Sequence, residues 1–168
     1  SKGHDTDRNS SVRSPNRRTR GRKAGKRRER IITLFNSSSF GTLDTFLRRD
    51  GTSDLVISQE IKKLADDLPF FRKGLNNAGW KAAMIPAIQT AKGASAGVGI
   101  FVRKHVGLEH VQSDFVNGWE VWPGRAAAAI VRGIIPGGVL IISVYLITGL
   151  SIEDDSNWEI LMAIARVI

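Results

Sequence analysis

The chain has 168 residues, 42% of them hydrophobic and none of them cysteine, and carries a formal net charge of +9. That length is one domain's worth and that apolar content fills a sizeable core, while disulfides and thiolate metal sites are excluded. The three histidines, His4, His105 and His110, lack the spacing of a zinc site.

The charge is local. Residues 1–30 carry 12 Lys+Arg and 3 Asp+Glu, and residues 31–168 carry 13 of each sign. Val12 and Ala24 are the only core-forming residues of this first segment, so it cannot bury a core and is expected to be a disordered basic arm. Its clusters make Arg17, Arg18, Arg20, Arg22, Lys23, Lys26, Arg27 and Arg28 candidate nucleic-acid contacts, because Lys/Arg clusters gain affinity by releasing phosphate counterions. A solvated linker or a nuclear-localisation run has the same composition. Asp5, Asp7 and Glu29 weigh against a transit segment.

The rest reads as one domain, residues 31–168. Ile31-Ile32-Thr33-Leu34-Phe35 is a first strand, ended by Asn36 and the Ser37-Ser38-Ser39 loop. Leu43, Phe46 and Leu47 form one apolar face of a short helix that stops at Arg48-Arg49-Asp50-Gly51. Leu55 to Ser58 is a second, buried strand closed by Gln59-Glu60. A strand–helix–strand unit predicts parallel neighbours, which puts Asn36 and Glu60 at one edge of the sheet. Open α/β sheets place their ligands at that carboxyl edge. A carboxylate there suits Mg²⁺, which takes hard oxygen ligands and only one or two protein carboxylates. An ordinary surface Glu in a first helical turn has the same signature.

Ile61, Leu64, Ala65 and Leu68 fall at helical spacing, predicting a helix from Ile61 toward Leu75 that Pro69 interrupts. Trp80 to Ile88 reads as a strand with an edge or bulge at Pro86. Gln89 to Gly97 reads as a loop, Val98 to Val102 as a strand, and Trp119 to Trp122 alternates weakly. Ala126–Val131 and Val139–Tyr145 read as two strands joined by Ile135-Pro136-Gly137-Gly138. Ser156 with Glu159 has capping-box spacing, and Trp158, Leu161, Ala165 and Ile168 give the last helix one apolar face. Its final residues run on as an apolar helical pattern with no Gly stop, so the domain is expected to be truncated there. Gly133 to Ile152 is 20 residues without a charge, about the length of a membrane span. Pro136-Gly137-Gly138 and the β-branched content favour paired strands instead.

Taken in order, Ile31–Asn36, Leu55-Val56-Ile57-Ser58-Gln59-Glu60, Ser95-Ala96-Gly97-Val98-Gly99-Ile100 and Ser143-Val144-Tyr145 resemble the endonuclease/exonuclease/phosphatase superfamily, and within it the retrotransposon-type and apurinic-type endonucleases. The resemblance covers about residues 31–168 and implies a partial α/β sandwich behind the basic arm. It implies that Glu60 is the Mg²⁺ ligand, that Asn36 orients metal and phosphate, and that Tyr145 contacts the scissile phosphate. Phosphodiester cleavage builds charge on phosphate oxygens that a cation stabilises. A phenol and an amide orient phosphate as neutral groups. The family's later Asp-x-Asn motif and Asp-His pair are missing after Tyr145. Asp155-Ser156-Asn157 has the letters of that triplet but opens a helix, and Ile147, two residues after Tyr145, is apolar. A general base is therefore absent from its expected place, and the chain by itself is expected to be inactive. The alternative is a non-catalytic subunit of a large nucleoprotein or membrane assembly, anchored by the basic arm or by residues 133–152.

Overall fold

The computed structural model describes residues 29–168. The cations Arg17 to Arg28 proposed as nucleic-acid contacts lie outside the described residues. Strand β1 (Ile32–Asn36), helix α1 (Phe40–Arg49) and strand β2 (Leu55–Gln59) form the expected parallel unit, with Ile32 beside Leu55 and Asn36 beside Gln59. Ser39 caps α1 by accepting from the Thr42 N–H, and Phe40, Leu43 and Leu47 are its buried face. Helix α2 (Leu68–Asn77) leads into β3 (Trp80–Ile85), and β6 (Val98–Arg103) returns between β2 and β3, antiparallel to both. The first sheet thus has the order β1-β2-β6-β3.

A second sheet, β10-β9-β7, consists of β7 (Gly107–Glu109), β9 (Ala126–Arg132) and β10 (Val139–Val144), and β8 (Glu120–Trp122) also pairs with β9. The two sheets stack through alternate residues, as the two-residue period of a strand requires. Leu55, Ile100 and Ala83 meet Ala127, Ala129 and Val131 between the sheets. Their sequence neighbours Val56, Phe101 and Ala82 face α1 and α2 on the outside. Helix α3 (Asp155–Ala165) covers the outer face of the second sheet at Ala126 and Ala128 through Ile160. Four consecutive alanines, Ala126 to Ala129, are fully buried, so both neighbouring layers approach β9 closely. The layers run helix, sheet, sheet, helix, which is the expected α/β sandwich class.

Several local expectations change. No helix starts at Ile61. The chain is irregular there, makes a 3₁₀ turn at Ala65–Asp67, and enters α2 with Pro69 in its first turn, where a missing N–H does no harm. The apolar spacing of Ile61 and Leu68 is met by two separate insertions into one core. The strand expected over residues 80–88 breaks after Ile85, and the expected loop holds a two-stranded ribbon, β4 (Ile88–Thr90) with β5 (Gly93–Ser95). Asp154, not Ser156, caps α3 by accepting from the Ser156 N–H. The buried face of α3 is Asn157 and Ile160, while Trp158 and Ile168 are 55% and 87% exposed. Residues 133–152 hold a tight turn, β10 and a loop. Among the described residues no helix is long and apolar enough to cross a membrane.

Candidate active site

Strand β2 stops at Gln59 because the backbone turns over. Glu60 and Lys62 adopt φ of 57° and 54°, and Ala96 opposite them adopts 64°. Among the described residues these are the only non-glycine residues with positive φ, and all three meet at one place. The Ile61 N–H donates to the Gly97 carbonyl at 3.0 Å, and the Lys62 N–H donates to the Ala96 carbonyl at 2.9 Å. Such backbone costs of order 1–3 kcal/mol per residue and persists only where the surroundings over-determine it. Here the fully buried Ile61 side chain is the anchor. The glycines of the Gly97-Val98-Gly99 stretch are fitted to this turn. A Cβ on Gly97, itself at φ +84°, would sit 3.2 Å from the Lys62 nitrogen, and one on Gly99 would sit 2.9 Å from Ile61 Cδ1.

Tyr145 follows directly on β10, and its N–H donates to the Arg125 carbonyl at 2.8 Å. Its hydroxyl donates to Glu60 Oε1 at 2.7 Å, joining the ends of strands from different sheets. Three buried serines hold this junction. Ser143 donates to the Ser58 carbonyl across the sheet interface at 3.2 Å, Ser37 and Ser58 share a hydrogen bond at 3.1 Å, and Ser37 also donates to the Gln59 carbonyl at 2.9 Å. Lys62 Nζ approaches the other carboxylate oxygen, Glu60 Oε2, at 3.3 Å. The Arg125 guanidinium lies 5.5 Å from the Tyr145 ring centre and reaches toward the Tyr145 and Leu146 carbonyls.

The electrostatics follow from these partners. The Tyr145 hydroxyl holds the Glu60 carboxyl below its ordinary range, partial burial opposes this, and Lys62 reinforces it. Burial pushes the Tyr145 phenol up, and the facing Glu60 carboxylate adds to the rise. The pair is therefore a carboxylate and a protonated phenol at neutral pH. Asn36 is exposed and in register with Gln59, one residue before Glu60. Among the described residues no hydrogen bond joins its side chain to Glu60 or Tyr145. Nor is any group of three or more His, Cys, Asp or Glu placed to hold a metal ion.

The structure adds residues that sequence reasoning passed over. Ser37, Ser58 and Ser143 are buried polar groups inside apolar strands or at their ends, and a serine set in or beside an apolar run was the available signal. Arg125 lies in the Pro123-Gly124-Arg125 turn. Asn157, read as part of a helix start, is buried and clamps the loop after Tyr145. Its Oδ1 accepts from the Ile147 N–H at 2.7 Å, and its Nδ2 donates to the Ser151 carbonyl at 3.0 Å.

No protein-family model matches the chain, and no curated protein matches it. Solved structures do. The chain is similar to a 3′-5′ exonuclease, NExo, from Neisseria meningitidis, with 22% identity and a TM-score of 0.48 over 81% of this chain and 49% of that one. A structure of the 3′ phosphatase NExo from Neisseria bound to a product DNA hairpin matches with the same values. The AP endonuclease LMAP from Leishmania major matches with 14% identity and a TM-score of 0.48 over 69% of this chain and 40% of that one. The chain spans about half or less of the length of the structures it matches.

Proposed function

We infer that residues 31–168 carry part of the catalytic set of a Mg²⁺-dependent phosphodiesterase of the endonuclease type. The observation that supports this most is the hydrogen bond from Tyr145 to Glu60, made where two sheets meet on a strained turn. Strain and a perturbed carboxylate at the same place mark candidate functional sites. The donor set fits Mg²⁺, which needs one or two carboxylates and otherwise keeps waters and substrate phosphate oxygens. Glu60 would hold it, with the Asn36 amide at the same sheet edge. When bound, the cation supplies charge to stabilise phosphate oxygens in the transition state.

The chain's own residues do the rest. Tyr145, kept protonated, offers a neutral donor that orients a phosphate oxygen without adding charge. Arg125 lies behind the Tyr145 ring and restrains the segment that carries it. Lys62 is half-exposed beside Glu60, so its ammonium would be within reach of a substrate phosphate held at this junction. Among the described residues no second carboxylate or histidine stands at this junction to act as general base, so binding without cleavage is the activity expected of these residues alone. The basic segment 1–30 adds phosphate affinity with little sequence preference.

The dinucleotide TpT carries one phosphodiester and tests this reading. Its ³¹P resonance should shift on adding the protein with Mg²⁺, shift far less without Mg²⁺, and lose the effect in Tyr145→Phe. Mg²⁺-independent binding that survives both Tyr145→Phe and Glu60→Gln would contradict it.

A further inference from the structure

A groove of about 670 Å³ lies on the far side of the first sheet, between α2 and the edge strands β3 and β7. Helix α2 contributes Arg72, Lys73 and Asn76 to it, strand β3 contributes Lys81, and Leu108 and Trp119 line it from the second sheet's side. The spacing explains the helical contribution, since positions three and four apart share one face. The adjoining face of α2 is spent on the core through Leu68 and Leu75, with Arg72 at the border between the two. Among the described residues, three cations line the groove and no carboxylate does. The Trp119 indole is held from one side by His110, whose ring stacks on it at 3.7 Å and 18°. His110 is fixed in turn through its Nδ1 against the Gly118 carbonyl at 2.8 Å.

We propose that this groove binds a nucleotide unit, the base against the Trp119 and Leu108 wall and the phosphate among Arg72, Lys73 and Lys81. A flat apolar wall suits a base, because every base has a π-face and stacking tolerates any sequence. Guanidinium and ammonium groups form short, charge-assisted hydrogen bonds to phosphate oxygens. The Asn76 amide supplies both a donor and an acceptor to a base edge. The volume lies in the usual range for small-ligand sites, about 300–1,000 Å³. The groove is separate from the Glu60 junction, because Lys81 precedes Ile85, at the junction end of β3, by four residues, a rise of about 13 Å. The assignment stands independently of any metal at Glu60.

The test uses the full chain, ¹⁵N-labelled, and adenosine 5′-monophosphate as probe. Saturable shifts are expected at the Trp119 indole N–H and at the Asn76 and Lys81 amides. The double variant Arg72→Ala/Lys81→Ala should weaken the apparent Kd at least tenfold, and Glu60→Gln should leave it unchanged. A hexa-adenylate strand that moves the same signals at much lower concentration identifies single-stranded nucleic acid as the source. Comparable affinity for the monophosphate identifies a free nucleotide. The proposal fails if adenosine alone acts as strongly as its monophosphate, if the charge variant binds equally well while its melting curve is unchanged, or if no saturable shift occurs. It also fails if hexaglutamate moves the same signals with equal affinity, which would make the groove an acidic-protein site.

Discussion

Strand β2 has a carboxylate at each end, and the two are built on opposite terms. Asp54, just before the strand, is buried and saturated. It accepts from the Ile31 N–H at 3.2 Å and from Arg30 at 3.2 Å, and His105 Nε2 lies 3.3 Å away. Its backbone is ordinary. Glu60, just after the strand, sits on left-handed backbone, keeps part of its surface open, and has a phenol and one half-exposed ammonium as partners. Asp54 ties β1 to β2 and to the segment after β6. Glu60 stores strain and offers oxygens. Two acidic residues six positions apart are alike in sequence, and it is backbone strain, together with the number of partners, that separates a structural carboxylate from a candidate functional one.

The largest effect comes from destroying the strand that holds both ends. Val56 is fully buried against α1 and α2. Val56→Asp places an unpaired charge there, a penalty of several kcal/mol that is comparable with the whole stability of a domain, about 5–15 kcal/mol. We expect no cooperative melting transition by circular dichroism. A soluble variant that melts like the wild type would refute the strand's central role.

The next substitutions compare the ends directly. Asp54→Ala leaves Arg30 and a buried N–H without their acceptor and should cost about 3 kcal/mol, read as a lowered urea midpoint. Glu60→Gln keeps an acceptor for Tyr145 and should cost less than about 1 kcal/mol. Acid unfolding sharpens the contrast. For Asp54, burial raises the carboxyl's pKa, but the Ile31 N–H and Arg30 outweigh it and lower the net value, and Glu60 is lowered by Tyr145. A carboxylate with a lowered folded pKa binds fewer protons folded than unfolded. Its contribution is therefore complete above the ordinary carboxylate range, about pH 4–5, and is lost as pH falls through the lowered value. Asp54→Ala should flatten the acid limb of the stability curve more than Glu60→Gln does. Equal limbs would remove the distinction.

The smallest effect probes strain alone. Lys62→Gly accepts φ of 54° without a Cβ clash and should stabilise the fold by up to about 1 kcal/mol, measured as a rise in Tm. A clear loss of stability would show that the Lys62 contact with Glu60 outweighs the strain.

Much of this was legible before any coordinates. The strand–helix–strand unit announced itself by its apolar runs and by the Arg48-Arg49-Asp50-Gly51 stop, and it brought Asn36 and Glu60 to one edge. The turn at Glu60 was hidden because Ile61 and Leu68 imitate helical spacing, while Ile61 enters the core from an irregular segment and Leu68 from the start of α2. A left-handed Glu has no signature of its own, although the facing Gly97 and Gly99 carry its trace. The inward face of α3 was misread because Trp158 outweighed Asn157 in an apolar count. Asn157 points inward because the backbone of the loop after Tyr145 requires a donor and an acceptor there. The serine junction escaped for the same reason, since its value lies in partners contributed by distant strands.

Mg²⁺ titration of wild type and Glu60→Gln, followed by amide chemical shifts, tests most directly the proposal that Glu60 is a cation ligand. In the wild type, the amides of Glu60, Ile61, Lys62 and Tyr145 should shift saturably with weak affinity, and in Glu60→Gln those shifts should vanish while the Asp54 region stays unchanged in both. Identical Mg²⁺ responses in the two proteins would contradict the account.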